Sequence, residues 1–196
     1  MSKSTGNFMT LGQCLIKFGS DATRIALADA GDTLDDANFD EKVANASIMK
    51  LFVLEQWIQN NFTKEPLDGA TLDTSAYHLW DSLMMNEINS ALSSAKQTYS
   101  EMKYRNIIVL FNHLLNIKEN YLIARSGEKN PFVIARYVEA VLTIMNPIAP
   151  HYCQHVWETS VYPVLKQSSN MGREFNEVLM NNGWPQAEPI QPVLSA

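Results

Sequence analysis

The chain has 196 residues, of which 46% are hydrophobic and 18% are charged, and its formal net charge is −6. This composition is typical of one folded domain with an appended segment, and it excludes an intrinsically disordered chain. The two cysteines, Cys14 and Cys153, are too few for a disulfide framework or a zinc pattern, and they fit a reducing cytosol.

The chain opens with a short segment of small and hydroxylated residues around one lysine: Met1, Ser2, Lys3, Ser4, Thr5, Gly6 and Asn7. Small residues let a backbone approach phosphate oxygens closely, and hydroxyl and lysine side chains can donate hydrogen bonds to them. An exposed terminal tail has the same composition. The residue types alone therefore leave both a phosphate-binding loop and an inert tail open.

Helix signals begin directly after this segment. Thr10 and Gln13 predict a capping box that opens a short helix, and Gly19 is expected to end it. Ser20 or Asp21 is expected to cap the next helix. Two short helices are thus predicted between the loop and the rest of the chain.

A long helix is predicted from Asn38, with Glu41 three residues later, to about Phe62. Apolar residues at steps of three and four then predict a helix over about 74–98. Ser100 is expected to cap another helix, which ends near residue 126.

Prolines mark the remaining helices. Pro131 is expected in the first turn of a helix to Met145, and Pro150 starts a short helix through Val161. A final weak helix is predicted over 171–182. No stretch alternates with a period of two residues for long enough to predict a strand.

These elements predict an all-α fold, an antiparallel bundle of about five helices preceded by a short segment of loop and helices. We expect three parts: residues 1–36, a bundle over 37–163, and a C-terminal extension over 164–196. Because the apolar stretch 132–149 is broken by Arg136, Glu139 and Asn146, it is too short and too polar to span a bilayer. The N-terminus also lacks a secretory pattern. We expect a cytoplasmic protein without a membrane partner.

The charges are unevenly distributed along the chain. Residues 21–73 hold eleven acids against four bases, whereas residues 96–136 hold seven bases against three acids. Charged helix faces are usually only solvated, but this separation is also what a phosphate-binding face beside an acidic face would show. The bases of the second segment are Lys96, Lys103, Arg105, Lys118, Arg125, Lys129 and Arg136.

Other chemistry-bearing residues give weaker signals. His151 and His155 share one face of a predicted helix, but Cys153 lies on the other side, so no metal site is expected. Tyr104 and Tyr137 each neighbour an arginine and could stack on exposed bases, although core packing is the alternative for both.

The opening segment Met-Ser-Lys-Ser-Thr-Gly-Asn resembles the Lys-Met-Ser-Lys-Ser signature of class I aminoacyl-tRNA synthetases, without the first lysine of that motif. The segments 8–11, 18–32 and 34–39 resemble the residues that come after this signature in leucyl-tRNA synthetases of the archaeal and eukaryotic cytosolic type. Pro147 to His151 and the pair Val156-Trp157 are also similar to that family. The likeness is specific over residues 1–40 and looser over 41–163.

This resemblance implies that the chain is part of a leucine–tRNA ligase, combining an ATP-phosphate loop with the helical anticodon-binding domain. Lys3 would be the catalytic lysine that stabilises departing pyrophosphate, and residues 1–7 would close over ATP with its Mg²⁺. No His-Ile-Gly-His-type motif or Gly-rich Rossmann turn is present, so we expect the chain alone to be inactive and to bind no cofactor.

The implied partners are tRNA(Leu), leucine, ATP and the remainder of the synthetase, with tRNA held through the cationic segment 96–136. The family resemblance also implies that the anticodon bases are not read. Two alternatives stay open. The chain could be a stand-alone, non-catalytic tRNA-binding or assembly module, or the same region of a valyl, isoleucyl or methionyl enzyme.

Overall fold

The computed structural model describes residues 9–31, 39–62, 78–126, 129–168 and 174–187. Within these ranges the regular elements are helical and no strand occurs. The predicted all-α helical bundle is therefore confirmed.

The first two helices, α1 (Leu11–Phe18) and α2 (Ser20–Asp29), follow one another almost without a break. The predicted capping box is present, because Gln13 N donates to Thr10 Oγ1 over 3.3 Å and Thr10 N donates to Gln13 Oε1 over 2.9 Å. The expected side-chain cap of α2 is wrong. Gly19, with φ +78°, ends α1 and also serves as the N-cap of α2.

Helix α3 (Glu41–Asn61) starts slightly later than predicted, and its predicted cap, Asn38, lies outside the described residues. The observed cap is Asp40, whose Oδ1 accepts a hydrogen bond from Lys42 N over 2.8 Å. The start of the helix packs on α1 and α2 through a small apolar cluster that contains Phe18 and Phe39.

Helices α4 (Leu79–Ser100) and α5 (Tyr104–Ala124) form an antiparallel hairpin. The prediction that Ser100 caps α5 is wrong. It is the last residue of α4, and its hydroxyl donates to Gln97 O. Helix α4 extends to Ser100, past its predicted end at about residue 98. Two hydrogen bonds, from Met102 N to Tyr99 O and from Lys103 N to Thr98 O, close its C-terminus.

Helix α6 (Pro131–Met145) lies at the centre of the main core and packs against both α4 and α5. Its limits agree with the prediction. Asn130 Oδ1 caps it by accepting from Phe132 N over 3.0 Å, and Pro131 occupies its first position. Nearly every side chain of α6 is buried, so this helix is covered by neighbouring elements on all of its sides.

The predicted short helix at residue 150 is longer and less regular than expected. Helix α7 (Pro150–Val156) continues through a π-helical turn (Trp157–Val161) into α8 (Tyr162–Leu165). Pro163 has no N–H to donate to the carbonyl of residue 159, and the wide turn lies directly before it.

Residues 174–187 of the C-terminal extension pack on the bundle. Trp157 Nε1 donates to Asn176 O over 2.9 Å, Trp184 Nε1 donates to Leu92 O over 3.3 Å, and Leu179 is buried. The helix predicted over 171–182 is wrong for the residues described, which form only a 3₁₀ turn at Leu179–Asn182. Asparagine side chains, with Asn176 Oδ1 accepting from Val178 N, supply the competing hydrogen bonds.

Candidate nucleic-acid interface

The predicted phosphate loop, Met1 to Asn7, lies outside the described residues. The role of Lys3 therefore stays a prediction. The described chain starts at Met9, directly before α1.

Two of the stretches that resemble leucyl-tRNA synthetases meet in space. Arg24 on α2 donates from Nε to Ile148 O over 2.7 Å and from Nη2 to Pro147 O over 2.8 Å. Beside this contact, the buried carboxylate of Asp21 accepts from Tyr152 N over 2.6 Å. Because Tyr152 lies in the first turn of α7, Asp21 caps that helix from another part of the chain.

The seven cations of segment 96–136 do not form one face. Lys96, Lys103 and Arg105 are exposed where α4 ends and α5 begins. Arg125 and Lys129 lie at the opposite end of the hairpin. Lys118 and Arg136 are buried between the helices.

The buried position of Lys118 comes from the apolar stripe of α5. Its side chain is 3% exposed, with Nζ 4.8 Å from the centroid of the Trp57 ring and 2.7 Å from Glu119 Oε1. Arg136 pairs with Glu139 at 3.2 Å and also donates to the backbone of Gln186. Neither side chain is placed to meet phosphate from solvent.

Arg125 belongs to a polar network at the other end of the bundle. Its Nε lies 3.4 Å from Oδ1 of the buried Asp81, and the same oxygen accepts from Tyr121 OH over 2.7 Å. Asn130 N donates to the Tyr121 hydroxyl over 3.1 Å. The network joins the start of α4, the end of α5 and the start of α6. Burial raises the pKa of Tyr121 to about 12, and the hydrogen bond to Asp81 adds to this rise.

We call Lys96 together with residues 101–105 the α4–α5 corner. Met102 adopts a left-handed conformation there, with φ 57°, and leaves its side chain exposed. Lys103 Nζ lies 2.6 Å from Glu101 Oε2, and this hydrogen bond lowers the pKa of Glu101 and raises that of Lys103. The corner carries more positive than negative charge, although Glu101 offsets one cation.

The two tyrosines predicted as possible base-stacking residues differ. Tyr137 is fully buried and donates to Leu114 O, so it belongs to the core. Tyr104 is 42% exposed at the corner, and its ring lies edge-on to Tyr99 with the centroids 6.3 Å apart. Of these two tyrosines, only Tyr104 is exposed to a ligand.

The histidines and cysteines take separate positions. Cys153 is fully buried, which raises its thiol pKa, while His155 Nε2 lies 3.6 Å from Glu55 Oε1 on the surface. Cys14 lies in the small cluster of α1 and α2. His78 has a structural role that its surrounding sequence does not indicate, since its Nδ1 caps α4 by accepting from Trp80 N. In the described ranges, no three His, Cys, Asp or Glu side chains come together as a metal site.

Comparison with known proteins identifies this architecture. Residues 81–195, from the first turn of α4 onward, match the family model for the anticodon-binding domain of tRNA ligases. The chain belongs to this family. The match includes the hairpin, the central helix and the C-terminal extension, whereas α1 to α3 precede it.

Curated relatives of this anticodon-binding domain are leucine–tRNA ligases. The cytoplasmic enzyme of Saccharomyces cerevisiae is 40% identical over 80% of the chain, and the putative one of Schizosaccharomyces pombe is 39% identical over 82%. The Pongo abelii enzyme is 31% identical over 99% of the chain. The chain spans 14%, 14% and 15% of these three proteins.

A solved structure shares the fold. The LeuRS of Agrobacterium radiobacter, crystallised as a ternary complex with tRNA and LeuAMS, aligns with a TM-score of 0.71 and 18% identity over 95% of this chain and 22% of that one. In the described ranges, none of the helices has both the length and the apolar character that a bilayer crossing needs.

Proposed function

We propose that the chain is the region of a cytoplasmic leucine–tRNA ligase that contributes the ATP-phosphate loop and the helical domain that holds tRNA(Leu). The main support is the family match over 81–195, joined to relatives that are 39% and 40% identical and are named leucine–tRNA ligases. The Arg24 contact adds to it, since it fixes α2 against the matched bundle. The whole enzyme would attach leucine to tRNA at the expense of ATP.

In this proposal, the ATP site belongs to residues 1–7 together with parts of the ligase outside this chain. Lys3 would stabilise charge as pyrophosphate leaves, while residues of the ligase outside this chain hold leucine and position ATP for the reaction. Leucine-dependent ATP–pyrophosphate exchange by the 196-residue chain should therefore stay at background. In the intact ligase, Lys3→Ala should slow exchange with little change in the KM for leucine.

The α4–α5 corner is the surface that we assign to tRNA. Of the seven cations suggested by the sequence, Lys96, Lys103 and Arg105 combine exposure with proximity, and Arg24 lies on the neighbouring helix. Phosphate contacts need clustered cations that reach solvent, a requirement that Lys118 and Arg136 do not meet.

A binding experiment tests the assignment. Fluorescence anisotropy at low salt should detect a labelled tRNA(Leu) transcript bound to the chain, with an affinity that falls steeply as salt rises. The double variant Lys103→Glu with Arg105→Glu should weaken binding about tenfold or more. Lys42→Glu, an equal change of charge per residue on the exposed start of α3, is the matched control and should change affinity less than about twofold.

Two results would contradict the proposal. The first is a chain that stays folded and shows no salt-sensitive binding to the transcript. The second is a transcript with replaced anticodon bases that loses more affinity than the corner variants do, because the leucyl resemblance implies that these bases are not read.

A further inference from the structure

A surface pocket of about 290 Å³ opens beside the α4–α5 corner, where three parts of the chain meet. Its walls come from α2, from the first residue of α5, and from the turn between α6 and α7. The side chains that define it are Arg24, Leu27, Ala28, Tyr104, Pro147 and Ile148. It is therefore mostly apolar, with one aromatic ring and one guanidinium.

The aromatic ring is held in place by a chain of contacts to the core. Tyr104 lies edge-on to Tyr99, whose ring lies edge-on to Trp184 at 6.3 Å. The Tyr99 hydroxyl donates to Ile144 O over 2.7 Å, and Trp184 Nε1 donates to Leu92 O. Because its supports are fixed, Tyr104 loses little freedom when a ligand stacks on it.

The guanidinium is fixed too. Arg24 uses Nε and Nη2 on the carbonyls of Ile148 and Pro147, which anchors it at the pocket wall. Its remaining N–H groups can donate to acceptors on the edge of a planar ligand. A single guanidinium among apolar walls suits a flat, polar-edged ring better than it suits a phosphate, which needs several donors.

We propose that this pocket receives one unstacked nucleobase of the bound tRNA, which stacks on Tyr104 while the exposed cations of the corner hold neighbouring phosphates. The proposal rests on the proposed tRNA-binding function and deepens it by naming a contact to a base. Charge supports a nucleic-acid occupant, since Lys103 and Arg105 flank Tyr104 in the chain and are both exposed. Stacking accepts any base, so affinity rather than sequence choice is the expected gain.

Anisotropy titrations of the full chain with the tRNA(Leu) transcript test this contact. Tyr104→Ala should weaken binding about 5- to 150-fold, the range for loss of one base–aromatic stack. Tyr104→Phe keeps the ring and should stay within about twofold of the parent chain. Trp80→Ala is the matched control, because Trp80 is 41% exposed, against 42% for Tyr104, at the opposite end of the hairpin.

Salt dependence separates stacking from charge. Tyr104→Ala should leave the slope of log Kd against log salt unchanged, whereas Arg105→Gln should reduce it by about one. Ala28→Leu, which places a larger side chain in the pocket and keeps Tyr104, should weaken binding as Tyr104→Ala does. Thermal melts of each variant confirm that the loss does not come from unfolding.

Two other outcomes would contradict either the base pocket or the tRNA-binding face as a whole. If the parent chain binds the transcript and the corner charge reversals weaken it, but Tyr104→Ala and Ala28→Leu bind normally, the base pocket is wrong and the tRNA face stands. In that case the occupant of the pocket would be a protein side chain from another segment and not a nucleobase. If the parent chain does not bind the transcript at all, both proposals fall.

Discussion

Arg24 and Ile148 are 124 residues apart in the chain and are joined by a hydrogen bond of 2.7 Å from Nε to the backbone oxygen. A second bond from the same guanidinium reaches Pro147 O over 2.8 Å. The turn between α6 and α7 has carbonyls that its prolines prevent from joining a continuous helix, and Arg24 satisfies two of them. The segment before the bundle is thereby fixed to the end of its central helix.

Asp21 and Arg24 both join α2 to the start of α7 and the turn before it, so removing either side chain should lower the stability of the fold. Asp21→Ala should lower the free energy of unfolding by about 1–2 kcal/mol, because Tyr152 N in the first turn of α7 loses its acceptor. Arg24→Lys should lower it by about 1 kcal/mol, since an ammonium cannot bond two carbonyls in the geometry of a guanidinium. Urea unfolding followed by circular dichroism measures both.

The control for these two variants is the exposed pair of Lys17 and Glu41. Lys17 Nζ lies 2.5 Å from Glu41 Oε2, but both side chains are about half exposed. Lys17→Ala should therefore change stability by less than about 1 kcal/mol. An Asp21→Ala variant as stable as Lys17→Ala would show that the cap of α7 contributes nothing.

Met102 gives a prediction of the opposite sign. A residue with a Cβ in the left-handed region costs about 1–2 kcal/mol, and glycine avoids that cost while losing about 0.5–1 kcal/mol in backbone entropy. Met102, at φ 57°, is exposed and lies just after the end of α4. Met102→Gly should therefore stabilise the chain by about 0.5–1 kcal/mol, read from the thermal midpoint.

Two variants separate relief of strain from other effects of losing the methionine. Met102→Ala keeps the strained backbone and should give no gain in thermal midpoint. Ser100→Gly, two residues earlier at the end of α4, should destabilise by about 0.5–1 kcal/mol. A gain in the alanine variant equal to that of the glycine variant would contradict the strain explanation.

Helix ends are predicted correctly where the residues that fix them are neighbours in the chain. The Thr10 capping box and the Pro131 start are fixed by residues within one turn, and both are present. The predicted end of α4 comes too early because a methionine, rather than glycine, takes the left-handed position there. The side chain of Met102 gives no sequence signal for this backbone conformation.

The placement of the cations depends on tertiary packing, and the charge count did not reveal it. The spacing nevertheless held a usable signal. Lys118 falls four residues after Leu114 and three before Tyr121, within the buried stripe of α5. Arg136 likewise lies inside the apolar run of α6. The contact of Arg24 with Ile148 had no counterpart in local pattern, because it joins residues from distant parts of the chain.

Buried tyrosines predict a loss of stability at alkaline pH. The pKa of Tyr121 is raised from 10.0 to about 12 in the fold, so between these values the unfolded chain releases this proton and the folded chain keeps it. Its contribution is complete below pH 10 and is lost as pH rises toward 12, with a slope of about 1.4 kcal/mol per pH unit. Tyr99, Tyr137 and Tyr152, whose pKa values burial also raises, act in the same direction.

Urea unfolding at a series of pH values from about 8 to about 11 measures this slope. Tyr121→Phe should be less stable than the parent at about pH 8, because Asp81 and Asn130 lose hydrogen bonds to its hydroxyl. The same variant should lose stability less steeply above about pH 10. Tyr162→Phe, on the partly exposed α8, is the comparison variant. A slope for Tyr121→Phe equal to the parent's would show that Tyr121 does not contribute.

Variants of Lys118 distinguish two reasons for weaker tRNA binding: loss of a direct contact with tRNA, or unfolding of the bundle. Lys118→Glu would place a carboxylate between Trp57 and Glu119 with no cation to pair with, and should cost about 3–5 kcal/mol of stability. Lys118→Met keeps the apolar stem against the indole and should cost no more than about 2 kcal/mol. Lys96→Glu, on the exposed end of α4, should stay within about 0.5 kcal/mol of the parent.

Paired measurements of unfolding and tRNA binding make this distinction. Reversal of Lys118 should weaken binding only in proportion to the unfolded fraction, so that the residual affinity of folded protein equals that of Lys118→Met and of the parent. Reversal of Lys96 should weaken binding while leaving the urea midpoint in place. A fully folded Lys118→Glu with weaker binding to tRNA would contradict the buried position of this side chain in the complex. It would return Lys118 to the tRNA-binding face that the sequence alone predicted.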